Sequence, residues 1–226
     1  LQDYNLKQEF QFYPNARNKW TFGLNAIHHG VVPGEVTGSE NSGVNNIKQP
    51  SKLGLENALF ISNEWSINEK INVLYGIRGT AFSVLGNGEN SYEFDSNGDV
   101  SSTKIYKKNS ISKTYINVEP RVFMSYVYSR TASVKGGYSR NVQNLHLISN
   151  TVSTSPTDVW LPTTLNVKPE IADQVSLGWF KNLKENKFEF SSEIYYKWMQ
   201  NQIDYRNGAN TQANELLEGE LLYGIG

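Results

Sequence analysis

Cysteine is absent from the 226 residues, which excludes a disulfide framework and a cysteine-based zinc site and leaves the compartment open. An excess of one charge is also missing: 21 Lys and Arg face 22 Asp and Glu, for a formal net charge of −1. That balance gives no electrostatic basis for nucleic-acid binding, and no such partner is expected. Long apolar runs are the third absence. No stretch approaches the ~18 consecutive apolar residues of a membrane-crossing helix, and 38% hydrophobic content with a mean hydropathy of −0.51 excludes a helical membrane protein. A membrane β-barrel escapes this exclusion, because its strands are apolar on one face and average out as polar. Residues 1–5 carry no apolar signal-peptide core, so any export signal is expected outside this chain or already removed.

What the chain has in quantity is alternation. In residues 118–128, Val118, Pro120, Val122, Met124, Tyr126 and Tyr128 share one face; Glu119, Arg121, Phe123, Ser125 and Val127 share the other. Ser129 to Thr131 turn the chain, and the return arm alternates again through Ala132, Val134, Gly136 and Tyr138. Period two on both sides of a short polar turn specifies an antiparallel hairpin. Three further hairpins follow the same plan. Residues 6–13 and 19–32 flank a turn at Pro14 to Asn18; residues 53–67 and 71–84 flank Asn68-Glu69-Lys70; residues 172–183 and 187–205 flank Lys184-Glu185-Asn186. A last arm, residues 216–225, has no partner after it.

Between hairpins lie long connections, residues 33–52, 85–115 and 149–171, the second holding a small hairpin signal around Asn97-Gly98. Short and long connections therefore alternate. An up-and-down outer-membrane barrel has tight turns on one side and long loops on the other, whereas a soluble β-sandwich has no reason to gather its short turns at one end. Phe12, Trp20, Trp65, Tyr126, Tyr128, Trp179 and Phe188 flank the short turns, as an interfacial aromatic belt requires. The expected fold class is all-β: an antiparallel up-and-down transmembrane β-barrel segment of about nine strands, an incomplete barrel. The competing reading is a soluble β-sandwich, a glycan-binding or adhesin-like domain.

Several motifs then converge. Glu119-Pro120-Arg121, Ser125-Tyr126 and Val134-Lys135-Gly136-Gly137-Tyr138-Ser139-Arg140-Asn141 resemble the barrel of TonB-dependent outer-membrane receptors. So do Val167-Lys168-Pro169-Glu170 with Asp173-Gln174 and Gly178, and the strand ending Tyr195-Tyr196-Lys197-Trp198. In style, including Pro156-Thr157-Asp158-Val159-Trp160, the sequence is closest to Bacteroidetes-type receptors. The motifs cover residues 116–226, and the first half matches in pattern only. The resemblance implies a cell-outer-membrane location and uptake of a nutrient ligand: siderophore, glycan, vitamin or peptide. It also implies contact with membrane lipid and coupling to TonB through a plug that is not in this chain. Residues 1–226 are expected to be a single β-barrel fragment with no plug domain, since the family closes about 22 strands around its plug.

Site chemistry is sparse. His28 and His29 are neighbours on a strand and face opposite ways, which argues against one shared metal ion; His146 stands alone. Asp95-Ser96-Asn97-Gly98-Asp99 opens like a calcium loop but lacks the later glycine and glutamate, and an Asn-Gly hairpin tip explains it. Glu189 and Glu193 are spaced for an acid and base, yet carboxylates interleaved with Lys and Arg are what a hydrated lumen contains anyway. No catalytic residue, cofactor or metal is expected. Trp160, with Asp158 beside it, is the candidate ligand contact, because loops on a rigid scaffold commonly carry binding. Packing of Trp160 within its own loop, between Pro156 and Pro162, is the alternative.

Overall fold

The computed structural model describes residues 1–32, 35–36, 47–148, 159–185, 187–209 and 215–225. Its main body is one eight-stranded antiparallel sheet. The strands are β1 (Gln2–Asn15), β2 (Asn18–Val31), β5 (Lys52–Ser66), β6 (Ile71–Leu85), β9 (Ile111–Ser129), β10 (Ala132–Gln143), β13 (Glu170–Leu183) and β14 (Phe188–Gln200). They lie side by side in that order, each paired with the next, so the connectivity is up-and-down throughout. The sheet does not close on itself: β1 and β14 are its two edges.

The short turns are made by the residues that sequence chemistry selects. Asn15 Oδ1 accepts the Arg17 backbone N–H at 2.9 Å, and Asn68 Oδ1 accepts those of Lys70 and Ile71, both at 2.9 Å. Such side-chain acceptors replace backbone partners in a tight reversal. Lys184 and Glu185 take left-handed conformations, φ 48° and 57°, at the start of the four-residue connection between β13 and β14, which Lys187 N–H closes on the Lys184 carbonyl at 3.1 Å. Neighbouring turns are bonded in a row, Ser66 N–H to Arg17 O at 2.8 Å, Val127 N–H to Lys70 O at 2.8 Å and Asn182 N–H to Thr131 O at 2.7 Å. All four therefore sit at one end of the sheet.

The long connections occupy the other end and carry ribbons of their own. These are β3 (Glu35–Val36) with β4 (Ile47–Lys48), β7 (Asn90–Phe94) with β8 (Val100–Ile105), β11 (Leu145–Ile148) with β12 (Val159–Pro162), and β15 (Gln202–Tyr205) with β16 (Leu221–Ile225). Two of the ribbons share a hydrophobic cluster, in which Ile148, Leu161, Val167 and Leu221 are buried and Ile203 and Tyr205 pack against them. The 3₁₀ turn Leu217–Glu220 supplies its fastener, Glu218. That carboxylate meets Lys52 at 2.6 Å and accepts hydrogen bonds from Thr164 at 2.8 Å and Asn166 at 2.6 Å. Burial on its own would raise the Glu218 pKa, but Lys52 and the two hydrogen bonds outweigh it and hold the carboxyl below its usual range. Asn166 also bonds the backbone of Tyr92 and Phe94 on β7. The Arg206 guanidinium donates to the carbonyls of Ser96 and Asn97 at the tip of the β7–β8 ribbon. Three connections are thus interlocked into one lobe.

Two expectations shift. Of the nine arms read from the sequence, eight form the sheet. The ninth, residues 216–225, opens as the 3₁₀ turn and then pairs with β15. The arm expected over residues 187–205 ends at Gln200, because Asn201 takes a left-handed φ of 58° and breaks the extended run. Asparagine tolerates that conformation better than most residues, so the break falls where it costs least.

Candidate lumenal site

Strand parity divides the sheet into two chemically different faces. On one face lie Leu59, Ile116 and Ile194, which are 68%, 78% and 71% exposed. Leu6, Phe10, Phe22, Leu24, Ile61, Ile77, Val118, Val122, Leu177 and Phe190 continue that face, all exposed. Toward the turns it ends in rings that touch one another. Trp20 meets Tyr75 edge-on at 6.1 Å, Trp179 meets Phe190 at 5.4 Å, and the Trp179 indole N–H donates to the Tyr128 hydroxyl at 2.7 Å. Toward the loops a second girdle appears, in which Tyr4 lies 6.4 Å from His28 and Tyr196 lies 5.7 Å from Trp198. An apolar band between two aromatic girdles is the outer surface of a membrane barrel. At the height of the second girdle, the buried Asp173 receives Arg140 through two bonds, 2.8 and 2.9 Å, and the Tyr138 hydroxyl at 2.5 Å.

The opposite, concave face is polar and cross-linked. Arg78 on β6 lies 3.4 Å from Glu56 on β5 and 3.6 Å from Glu119 on β9. Lys19 meets Glu64 at 3.1 Å nearer the turns. His29 Nδ1 meets Asp3 Oδ1 at 2.9 Å across the first strand pair. Lumenal phenylalanines lie flat on glycines of the neighbouring strand. A Cβ added to Gly137 would fall 2.2 Å from the Phe123 ring and 2.5 Å from the Val122 carbonyl, so that close approach requires glycine.

The loop lobe folds over the loop end of this face. Where β10 runs into β11, Asn144 donates to Glu56 at 2.9 Å, and Val142 N–H reaches Glu119 at 3.4 Å. Under that crossing is a cavity of about 410 Å³, lined by His29, Glu56, Asn141, Asn144, Glu170, Gln174, Lys197 and Met199 among others. His146, on the buried face of β11, stands 3.7 Å from Glu170. Burial lowers its pKa to about 4, so the ring is neutral near pH 7.

The residues singled out in the sequence fall as follows. Trp160 is in β12, 43% exposed, opposite the equally exposed Leu147. It therefore presents a ring at the surface of the ribbon, while Val159 and Leu161 on either side of it are buried. Asp158 and Pro156 lie outside the described residues. His28 and His29 do face opposite ways, one toward Tyr4 and one toward Asp3. At Asp95-Ser96-Asn97-Gly98-Asp99, Asp95 Oδ1 caps the N–H groups of Asn97 and Asp99, and the Arg206 guanidinium binds the carbonyls of Ser96 and Asn97. Glu189 and Glu193 both sit on the concave side of β14. Among the described residues no three His, Asp or Glu side chains converge as a metal site would require. Asn141, Asn144 and Gln174 were not singled out as site residues. Parity alone puts Asn141 and Gln174 on the concave face, but no local pattern marks Asn144.

The sheet has counterparts among solved structures. The iron transporter FrpB of Neisseria meningitidis (F5-1 variant) aligns with a TM-score of 0.57 and 11% identity, over 89% of this chain and 29% of that one. The copper transporter OprC aligns with a TM-score of 0.61 and 12% identity, over 91% and 31%. At such identities the likeness is one of fold, and the chain spans about three tenths of either structure. No curated protein matches the sequence. The sequence model described as "TonB dependent receptor-like, beta-barrel" matches residues 2–224. The chain therefore belongs to the TonB-dependent receptor β-barrel family, whose members are outer-membrane receptors and transporters, not enzymes.

Proposed function

We propose that this chain supplies wall, lumen and outer loops to a receptor that captures a nutrient ligand at the cell surface and passes it across the outer membrane. Uptake is driven through TonB by way of a plug that residues 1–226 do not themselves provide. One observation carries the reading: the sheet is apolar and ringed by aromatics outside, polar and cross-linked inside, with its loops folded over the lumenal face at one end only. A wall of that kind binds and conducts, and no covalent step is called for.

The structures similar in fold transport iron and copper by their names; siderophore, glycan, vitamin and peptide are the ligand classes open to this receptor. Trp160, with Asp158 next to it in sequence, is the proposed outer contact, because its ring stands exposed beside Leu147 on a ribbon anchored from its other face. The test is uptake by cells expressing the full-length receptor, with and without TonB. Loss of accumulation without TonB supports the reading; TonB-independent accumulation overturns it. In the same cells Trp160→Ala should weaken surface binding roughly tenfold while the receptor still assembles, and unchanged binding removes Trp160 from the site.

A further inference from the structure

Resting on that receptor reading, we infer that the cavity between His29, Asn144 and Gln174 holds a neutral, hydroxyl-rich segment of the ligand, a sugar rather than a charged chelate. The groups it offers decide the class. His29 and Asn144 are more than nine-tenths buried, and each keeps an unpaired polar atom, Nε2 and Oδ1 respectively. The same atoms belong to side chains that line the cavity. Neither atom has solvent-accessible surface of its own, so a ligand hydroxyl recovers the roughly 1–3 kcal/mol of the missing bond as the side chain turns toward the cavity. Asn141, Gln143 and Gln174 add neutral amides, each both donor and acceptor, and Met199 and Leu145 add apolar surface. Donor and acceptor side by side, beside a patch for C–H groups, suit vicinal hydroxyls on a ring.

Charge argues against the alternatives. Asp3 is bound to His29, while Glu56 and Glu119 share Arg78. Of the remaining ionisable groups, Glu170 and Lys197 are of opposite sign, and His146 is neutral. An anionic chelate therefore meets a wall with one carboxylate more than its cations balance, and for a metal cation no three His, Asp or Glu side chains converge among the described residues. At about 410 Å³ the space lies within the usual ~300–1,000 Å³ of ligand sites.

The experiment uses the full-length receptor in detergent. Its probes are an array of neutral, sialylated and sulfated oligosaccharides, a ferric catecholate and an uncharged peptide, each followed at low and high salt. The expected result is retention of neutral oligosaccharides with an affinity that salt does not change. His29→Phe keeps the ring volume and removes both nitrogens; Gln174→Met keeps the length and removes the amide. Each should weaken binding roughly tenfold, and Gln174→Met carries the test if His29→Phe does not assemble. Asp3→Asn, which leaves the second ring nitrogen of His29 in place, should stay within about twofold. Salt-sensitive binding of the chelate or of acidic glycans, peptide binding, or neutral binding indifferent to both variants would each overturn the sugar site and leave the receptor reading intact. No binding of any probe, with growth unaffected by loss of the gene on every such nutrient, would overturn both.

Discussion

The wall and the loop lobe hide their apolar residues in opposite ways. In the lobe, Leu161 is 1% exposed inside a closed cluster, as in any water-soluble core. In the wall, the largest aliphatic side chains stand in the open on a sheet whose other face is charged. A single chain thus contains two solutions to apolar burial, one completed by itself and one that needs a second solvent. The difference separates the membrane reading from the sandwich reading: a two-layer soluble body would bring the wall's apolar rows against each other, and here no second sheet covers them among the described residues.

The largest effect expected from that contrast is in the lobe. Leu161→Ala should cost about 2–5 kcal/mol locally. Hydrogen exchange on the full-length receptor should then quicken in β11, β12 and β16 and leave the wall unchanged; wall-wide acceleration would mean that the two regions are one cooperative unit. Next comes the wall itself. Ile194→Arg, on the outward face of β14, should cost about 2–4 kcal/mol in a bilayer, whereas Ser191→Arg on the concave face of the same strand should stay near zero. Equal costs at both positions would abolish the distinction between the faces.

A third effect depends on pH. The buried His146 has its folded pKa depressed to about 4 from the ordinary 6.5, so the unfolded lobe takes up a proton first as acidity rises. Its contribution is full above pH 6.5 and is lost as pH falls toward 4, by about 3 kcal/mol in total, tempered by Glu170 at 3.7 Å. Exchange rates in β11 should climb across that window in the native receptor and stay flat in His146→Leu. The smallest effect is in the turn-side girdle. Trp179→Phe removes the 2.7 Å bond to the Tyr128 hydroxyl and should cost about 1 kcal/mol. A double-mutant cycle with Tyr128→Phe should give coupling of that size, and strict additivity would reduce the girdle to independent rings.

What could be read from the sequence was whatever is local. Alternation along β9 and β10 determines their faces without reference to anything distant, and the Asn15 and Asn68 turns are set by side chains two or three residues from the groups they cap. The turn-side girdle followed because its rings lie beside those turns. The second girdle was missed: Tyr4, His28, Tyr196 and Trp198 lie far from any turn, and only the register between strands shows that they share a height. The lumenal cavity was less legible still. Lys197 and Glu56 fall on the polar face by parity, but the bond that closes the site joins Asn144 to a residue 88 positions earlier, and no pattern along the chain encodes it. The last arm was misplaced because its apolar content resembles a strand's, while the residues that redirect it, Asn201 and the turn around Glu218, act through backbone angle and burial.

The Arg140–Asp173–Tyr138 cluster on the lipid-facing side has a mechanical consequence. Sinking the wall by one residue pair would drag a fully satisfied ion pair into hydrocarbon, and lifting it would pull the rings of Trp179 and Phe190 out of the opposite headgroup layer. Between these two penalties the receptor has a fixed waterline, held from above by a charge and from below by an indole.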